Sequence, residues 1–309
     1  MSEPAVVYGL ENVPDQPNGT AVAVGVFDGV HWGHRAIFER LLQLAAGRNL
    51  TSVALTFDKH PTELLAPHAA PYYITTLEQR VELIRALGVE RVVVAQFDAG
   101  LAGLTRDEFV KQVLCDALQS RQVVVGSNFR FGKGREGDIR YLSTAGPALG
   151  VGVGVVPSVI INDGPASSTR VRAMIGRGDV TDAAKLLGRR FALRGKVVTG
   201  KQIGRTMGFP TANIQTAQRQ LVPARGVYAV ESTVGKSTYS GVCNIGCRPT
   251  FDGDQETVEV HLMGFAGDIY GETLDVAFCR RLRDEMAFES PEKLAEQIRR
   301  DMEGAGSGC

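Results

Sequence analysis

Ala21-Val-Ala-Val-Gly25-Val-Phe-Asp-Gly29-Val-His31-Trp-Gly-His34 joins an apolar run of strand length to the start of a helix. Ala21–Val26 has the composition of a buried strand, and Ile37, Leu41, Leu44 and Ala45 follow at helical spacing. The alternation continues outward from this stretch. Ser52–Phe57 is a second strand. Thr76-Leu-Glu-Gln79 has the spacing of a capping box and opens a helix carrying Val81, Ile84 and Leu87, which stops at Gly88. Arg91–Gln96 is a third strand, and Thr105-Arg-Asp-Glu108 opens a helix with Phe109, Val113 and Ala117 on one face. Val123–Val125 and Val151–Val156 are further strands. Apolar strands alternating with amphipathic helices predict a doubly wound parallel sheet, with its ligand at the carboxyl ends of the strands.

The pattern changes near residue 187, after a last helix over Thr181–Leu187. Short strand-like runs then follow: Phe191–Val198, Gly226–Ser232, Ser240–Ile245, Thr257–Met263 and Thr273–Phe278. Gly, Pro and Asn separate them, and Val258-Glu-Val-His-Leu262 alternates. This spacing predicts an antiparallel sheet or barrel. Pro291–Asp301 reads as a closing helix, with Leu294 and Ile298 one turn apart, and the Gly/Ser-rich end as frayed. The fold class is therefore α/β followed by β, with domains at 1–186 and 187–309.

The 309 residues suit two domains, and 34 basic residues balance 34 acidic ones. No long-range field points to nucleic acid or an anionic membrane, so phosphate binding must come from local sites. No apolar stretch approaches the roughly 18 residues of a spanning helix, and no basic-then-apolar leader opens the chain. Five scattered cysteines argue against a disulfide framework, and Cys243 and Cys247 lack a second pair for zinc. The cytoplasm is the location that fits best, and weak self-association is left open.

Two glycine patterns are set aside. Gly195-Lys-Val-Val-Thr-Gly-Lys201 nearly matches a P-loop, but Gln202 stands where Ser or Thr is required, within the β-rich half. Gly150, Gly152 and Gly154 lack the third glycine of a dinucleotide loop and read as close-packing positions in a strand.

Three clusters carry chemistry. His31 and His34, at the start of a helix, can both face outward towards a polyphosphate, aided by backbone N–H groups and the helix dipole. A capped helix with surface histidines is the plainer reading. Hydroxyls and an arginine in Ser167-Ser-Thr-Arg-Val-Arg172 suit phosphate oxygens. In Gly204-Arg-Thr-Met-Gly208-Phe-Pro-Thr211-Ala-Asn213 the glycines and Pro210 mark a constrained loop. Thr211 and Asn213 would lie on the same side of an extended chain and offer oxygens of the kind magnesium takes. An ordinary Gly/Pro/Asn turn remains the alternative there.

The string GVFDGVHWGH, with its HxGH core, resembles the nucleotidylyltransferase superfamily and, more closely, the adenylyltransferase module of bacterial FAD synthetases. Thr56-Phe-Asp-Lys-His-Pro61, Val125-Gly-Ser-Asn-Phe-Arg-Phe-Gly132 and Ser167–Arg172 match that module in order. GFPTAN resembles the hallmark of riboflavin kinases. Gly226-Val-Tyr228, Gly241–Phe251, Val258–His261, Asp268–Gly271 and Leu282–Glu285 extend that likeness. The resemblance implies a nucleotidylyltransferase domain followed by a β-barrel riboflavin kinase domain. It implies phosphorylation of riboflavin to FMN, then adenylylation of FMN to FAD, with magnesium accompanying ATP. ATP binding would fall to Gly25, Phe27, Asp28, His31, His34, Ser168, Thr169 and Arg172 in the first domain. In the second it would fall to Gly204, Gly208, Thr211 and Asn213, with Thr211 and Asn213 also holding the metal. His31 and His34 would stabilise the adenylyl-transfer transition state, and Glu259 would be the kinase's general base. Phe57, His60, Asn128, Phe131 and Arg283 would contact flavin. Phe57 and Phe131 could equally be core residues, and Arg283 a solvated helix-start charge. Lys59, Trp32 and Pro165 depart from the family's usual residues, and Cys247 stands where Thr is common. A single-activity kinase with a degenerate first domain, a flavin-binding sensor, and a transferase for another phosphate acceptor are the rival readings.

Overall fold

The computed structural model describes residues 5–200, 208–250 and 253–306. Contacts divide the chain into two compact units, Met1–Pro71 with Leu77–Ser167, and Tyr72–Thr76 with Ser168–Cys309.

The first unit is built on a six-stranded sheet of β1 (Val6–Tyr8), β2 (Thr20–Val24), β3 (Thr51–Phe57), β4 (Arg91–Ala95), β5 (Ser120–Gly126) and β6 (Gly152–Val156). Its spatial order is β1-β4-β3-β2-β5-β6, and every pairing is parallel. From β2 the chain winds to β3 and β4 on one side, then crosses to β5 and β6 on the other. The point of reversal therefore lies between β2 and β5, where a doubly wound sheet opens a crevice at its carboxyl edge. The turn after β2 leads directly into α1 (Trp32–Arg48). β1 has no alternation to reveal it; three residues pair Val6↔Val92 to Tyr8↔Val94 at the sheet edge.

Both faces of this sheet are covered, which is why the strands read as unbroken apolar runs. Ala21 and Ala23 face α1, joining Ile37, Phe38, Leu41 and Ala45 in one cluster. Their small side chains let the helix lie close. Val22 and Val24 face the opposite cluster, with Phe109, Val113 and Leu114. The helix expected after Thr105 does begin with a capping box. Thr105 Oγ1 accepts from Glu108 N at 3.2 Å, and Thr105 N donates to Glu108 Oε2 at 2.8 Å. Beyond Glu108 it winds as π-helix over Phe109–Ala117. Gly152 sits in β6, where a Cβ would stand 2.4 Å from Gln122 Oε1, so close packing accounts for it. Gly150 lies before the strand at φ 75° and serves a turn instead.

In the second unit, helices Ser168–Gly176 and Val180–Leu187 precede a closed barrel. The barrel strands are β7 (Phe191–Val198), β8 (Ala212–Thr216), β9 (Gly226–Val234), β10 (Ser237–Thr250), β11 (Gly253–Leu262) and β12 (Thr273–Arg283). Their order is β7-β8-β11-β10-β9-β12, antiparallel throughout, with β12 returning to β7. β7 alternates Phe191, Leu193, Gly195 and Val197 inward. Gly195 is thus a strand residue whose absent Cβ would meet Gln215 O at 2.5 Å, not a phosphate loop. Lys201 of that near-match lies outside the described residues. β10 and β11 run longer than the sequence suggested, because their register continues from Gly241↔Leu262 to Thr250↔Gly253 through residues that read as turn formers.

The closing helix extends over Pro291–Gly306 rather than ending at Asp301. Arg283, at the end of β12, is not a solvated helix-start charge. Its Nε and Nη2 donate to Asp301 Oδ1 and Oδ2 at 3.0 and 2.8 Å, and Gln297 Nε2 adds a bond of 2.9 Å to Oδ1. The two side chains are 18% and 6% exposed. Removing one partner leaves a largely buried charge unmatched. Asp301→Ala is therefore expected to destabilise the second unit by about 3 kcal/mol, read as an earlier denaturation of the barrel in urea.

Candidate functional site

The turn between β2 and α1 has an unusual backbone. Phe27 and Val30 take positive φ values of 51° and 42°, and Gly29 one of 82°. Left-handed conformations are costly for side chains such as these, so the surrounding contacts must enforce them. Phe27 and Val30 are buried in the α1-side core, and Asp28 is 2% exposed. At Gly25 a Cβ would come within 2.9 Å of the Phe27 ring.

The two histidines are not outward-facing surface residues. His31 is the N-cap of α1 and only 5% exposed; its Nδ1 accepts from Gly33 N at 3.1 Å. A neutral imidazole that accepts at Nδ1 carries its proton on Nε2, which leaves Nε2–H as the donor. His34 stacks on it, with ring centroids 3.7 Å apart and planes at 21°. The Phe27 ring meets His34 edge-to-face at 5.3 Å. Gly33 permits this packing, since a Cβ would lie 3.1 Å from both Ala166 O and His31 Cε1. The outcome is a pre-ordered imidazole pair at a helix N-terminus, beside the reversal point of the sheet, where donors can meet phosphate oxygens.

Asn128 lies exposed in the turn that leaves β5, held by Phe129 N donating to Gly126 O at 3.0 Å. Phe57 and Phe131 are core residues, 8% and 5% exposed. Phe57 packs edge-on against Phe97, and Phe131 against Phe109 and Phe129. His60 caps the short helix Pro61–Leu65 in a reciprocal arrangement with Glu63. Ser168, Thr169 and Arg172 belong to the second unit, where Arg172 Nε donates to Tyr72 O at 2.8 Å.

One side chain beneath the β2 turn escaped the sequence reading. Arg80, on helix Leu77–Ala86, is 1% exposed and donates from Nη1 to Val26 O at 2.7 Å. The signal was present: an arginine one turn before Ile84, on the apolar face of its helix.

In the barrel, register brings three polar residues into one row. Asn213 on β8 pairs with Glu259 on β11, and Glu259 pairs with Asn244 on β10. Glu259 is partly exposed, while its neighbours Val258 and Val260 are buried. Burial, and next the Glu259 carboxylate, push the Cys243 thiol up. Cys115, Cys243 and Cys247 form no disulfide. Close by, Glu285 stands over Gly246, where a Cβ would be 2.4 Å from its Oε1. Asn244 and Glu285 were not anticipated, because only pairing register discloses them.

Thr211 lines a cavity of about 530 Å³ together with Val197, Leu262, Phe265, Asp268 and Tyr270. Gly208 has φ 86°, and His261 Nδ1 lies 2.8 Å from Pro210 O, which fixes the chain entering β8. The Arg299 guanidinium sits over Phe209 at 5.9 Å. Asn213 folds against Gly200, where a Cβ would meet Nδ2 at 2.1 Å. Gly204 lies outside the described residues. Among the described residues no group of three His, Cys, Asp or Glu side chains could hold a metal. No helix of these residues is long and apolar enough to cross a membrane.

Comparison with known proteins agrees with this two-part layout. A family described as FAD synthetase matches residues 13–170, and one described as riboflavin kinase matches residues 187–307. The bifunctional riboflavin kinase/FMN adenylyltransferase of Escherichia coli (strain K12) is 38% identical over 298 residues, covering 96% of this chain and 95% of that protein. The protein of the same description from Pseudomonas fluorescens is 38% identical over 301 residues, covering 97% and 96%. A crystal structure described as a macrolide-efflux protein from Streptococcus pneumoniae superposes with a TM-score of 0.90 at 32% identity, covering 99% of this chain and all of that one. The parallel sheet with its imidazole pair and the barrel with its Asn–Glu–Asn row thus coincide with the two matched regions, and the chain belongs to the bifunctional riboflavin kinase/FMN adenylyltransferase family.

Proposed function

We propose that the barrel phosphorylates riboflavin to FMN around Glu259, and that the first unit adenylylates FMN to FAD around His31 and His34. The chemistry is riboflavin + ATP → FMN + ADP, then FMN + ATP → FAD + pyrophosphate. The observation that carries this reading is the difference between the two polar sites. A hydroxyl nucleophile must lose a proton, and the barrel offers a carboxylate flanked by two amides in one cross-strand row. A phosphate nucleophile is already ionised, and the first unit offers imidazole donors instead of a base.

Gly208, Thr211 and Asn213 take the kinase nucleotide, with Gly204 assigned to the same role. Thr211 and Asn213 supply oxygens to magnesium, which commonly takes its other ligands from water and phosphate. Bound there, the ion would neutralise charge on the transferring phosphoryl group. Gly25, Phe27, Asp28, Ser168, Thr169 and Arg172 serve the adenylyl-transfer nucleotide. Asn128 and His60 contact its flavin, backed by Phe57 and Phe131 from within the core. Arg283, tied to Asp301, braces the edge of the kinase's flavin pocket. We keep the functional boundary at 186/187, and a cytoplasmic location suits both reactions.

Incubation with riboflavin, ATP and magnesium, followed by chromatography, is expected to yield FMN and then FAD. Appearance of neither product overturns the reading; FMN alone replaces it with a single-activity kinase.

A further inference from the structure

Val26 is the last residue before the chain turns left-handed at Phe27. Its carbonyl accepts two hydrogen bonds, from Thr56 Oγ1 at 3.0 Å and from Arg80 Nη1 at 2.7 Å. The same Nη1 also donates to Thr56 Oγ1 at 3.2 Å. Thr56 is fully buried, and Arg80 is the largest fully buried side chain among the described residues. Arginine keeps its charge at any working pH, and burying that charge is costly. An apolar residue at position 80 would serve the helix–sheet core better, since Val81 and Ile84 already face it. The cost is explained by where the guanidinium points.

The geometry points to Arg80 as a positioning residue for adenylyl transfer. Two donors on one carbonyl fix the plane of the Val26–Phe27 peptide and hold Phe27 at its positive φ. Phe27 in turn sets the edge of the ring against which His34 rests, and His34 stacks on His31. Arg80 touches neither imidazole in this chain of contacts; it acts through the backbone turn that orients them. Without it the peptide can relax towards the extended conformation a phenylalanine prefers, and the imidazole pair loses its backing. This inference rests on the assignment of His31 and His34 to adenylyl transfer.

The test compares Arg80→Met, Arg80→Lys, Thr56→Val and the Arg80→Met/Thr56→Val double variant in the full-length chain. FMN formation and FMN-to-FAD conversion are measured on the same samples. Arg80→Met is expected to lower kcat for FAD formation about 100-fold, the scale of a misplacement of an ångström or so. KM for ATP should stay within about threefold, because the nucleotide contacts themselves remain. Arg80→Lys, which keeps a charged donor, should regain part of the loss. The double variant should be no worse than Arg80→Met, since both changes act through the Val26 carbonyl.

An unchanged rate of FAD formation in Arg80→Met overturns the proposal, as do losses that multiply in the double variant. If Arg80→Met loses FMN formation as well, Thr56→Val decides. A selective fall in FAD formation supports the proposal, and an unchanged rate overturns it. His34→Ala run in parallel separates the two layers. FAD formation that survives His34→Ala refutes the site assignment, whereas FAD formation lost there but intact in Arg80→Met refutes only the positioning role.

Discussion

His34→Ala is expected to lower FMN-to-FAD conversion by about a thousandfold while FMN formation from riboflavin continues at its normal rate. Charge develops on the α-phosphate as FMN's own phosphate attacks it, and donors fixed in advance stabilise that charge without reorganising. The imidazole pair has this property. His31 is held by its bond from Gly33 N and by burial, and His34 by stacking on His31 and by an edge-to-face contact with Phe27. Alanine at 34 removes one donor and also the stacking partner of the other. The substitution lies at the first turn of α1, remote in sequence from every barrel strand. Chromatography of products from separate riboflavin and FMN incubations checks it.

Glu259→Gln should do the reverse, lowering FMN formation by about a thousandfold and leaving FMN-to-FAD conversion intact. The amide keeps the shape of the side chain and its place between Asn213 and Asn244. What it loses is the capacity to take the ribityl hydroxyl proton. Retained affinity for riboflavin with lost turnover would therefore mark the carboxylate as the base; joint loss of both activities in folded variants of His34 and Glu259 would contradict the two-site assignment.

Much of this could be seen in the chain before its folding was known. Apolar runs such as Ser52–Phe57 and Arg91–Gln96 announced strands buried on two faces, and β7 was readable to the residue because alternation survives in Phe191–Val198. The Thr105–Glu108 capping box was equally plain, since its signal is local. β1 was not legible, because three edge residues carry no period. The site was legible by residue type and not by arrangement. His31 and His34 were visible as a pair, but the burial of His31 and the stacking of the two rings depend on left-handed backbone at Phe27 and Val30, which side chains of those types do not advertise. Asn244 joins Glu259 only through strand register, a property of two segments at once. Arg283 illustrates the same point, since its partner Asp301 lies on another element.

Barrel closure also imposes a timetable. β7 is bonded on one side to β12, so its outer edge stays unsatisfied until residues Thr273–Arg283 exist. The parallel sheet, by contrast, has all its strands once Val156 has been made. At ordinary elongation speeds the interval between these events is on the order of ten seconds. During synthesis, then, the nascent chain carries a finished parallel sheet ahead of an open, adhesive barrel that still lacks its closing strand. Chaperones that shield unpaired strands have their greatest opportunity in that window, and truncations within Thr273–Arg283 should leave the adenylyl-transfer half soluble only if the dangling strands are removed with them.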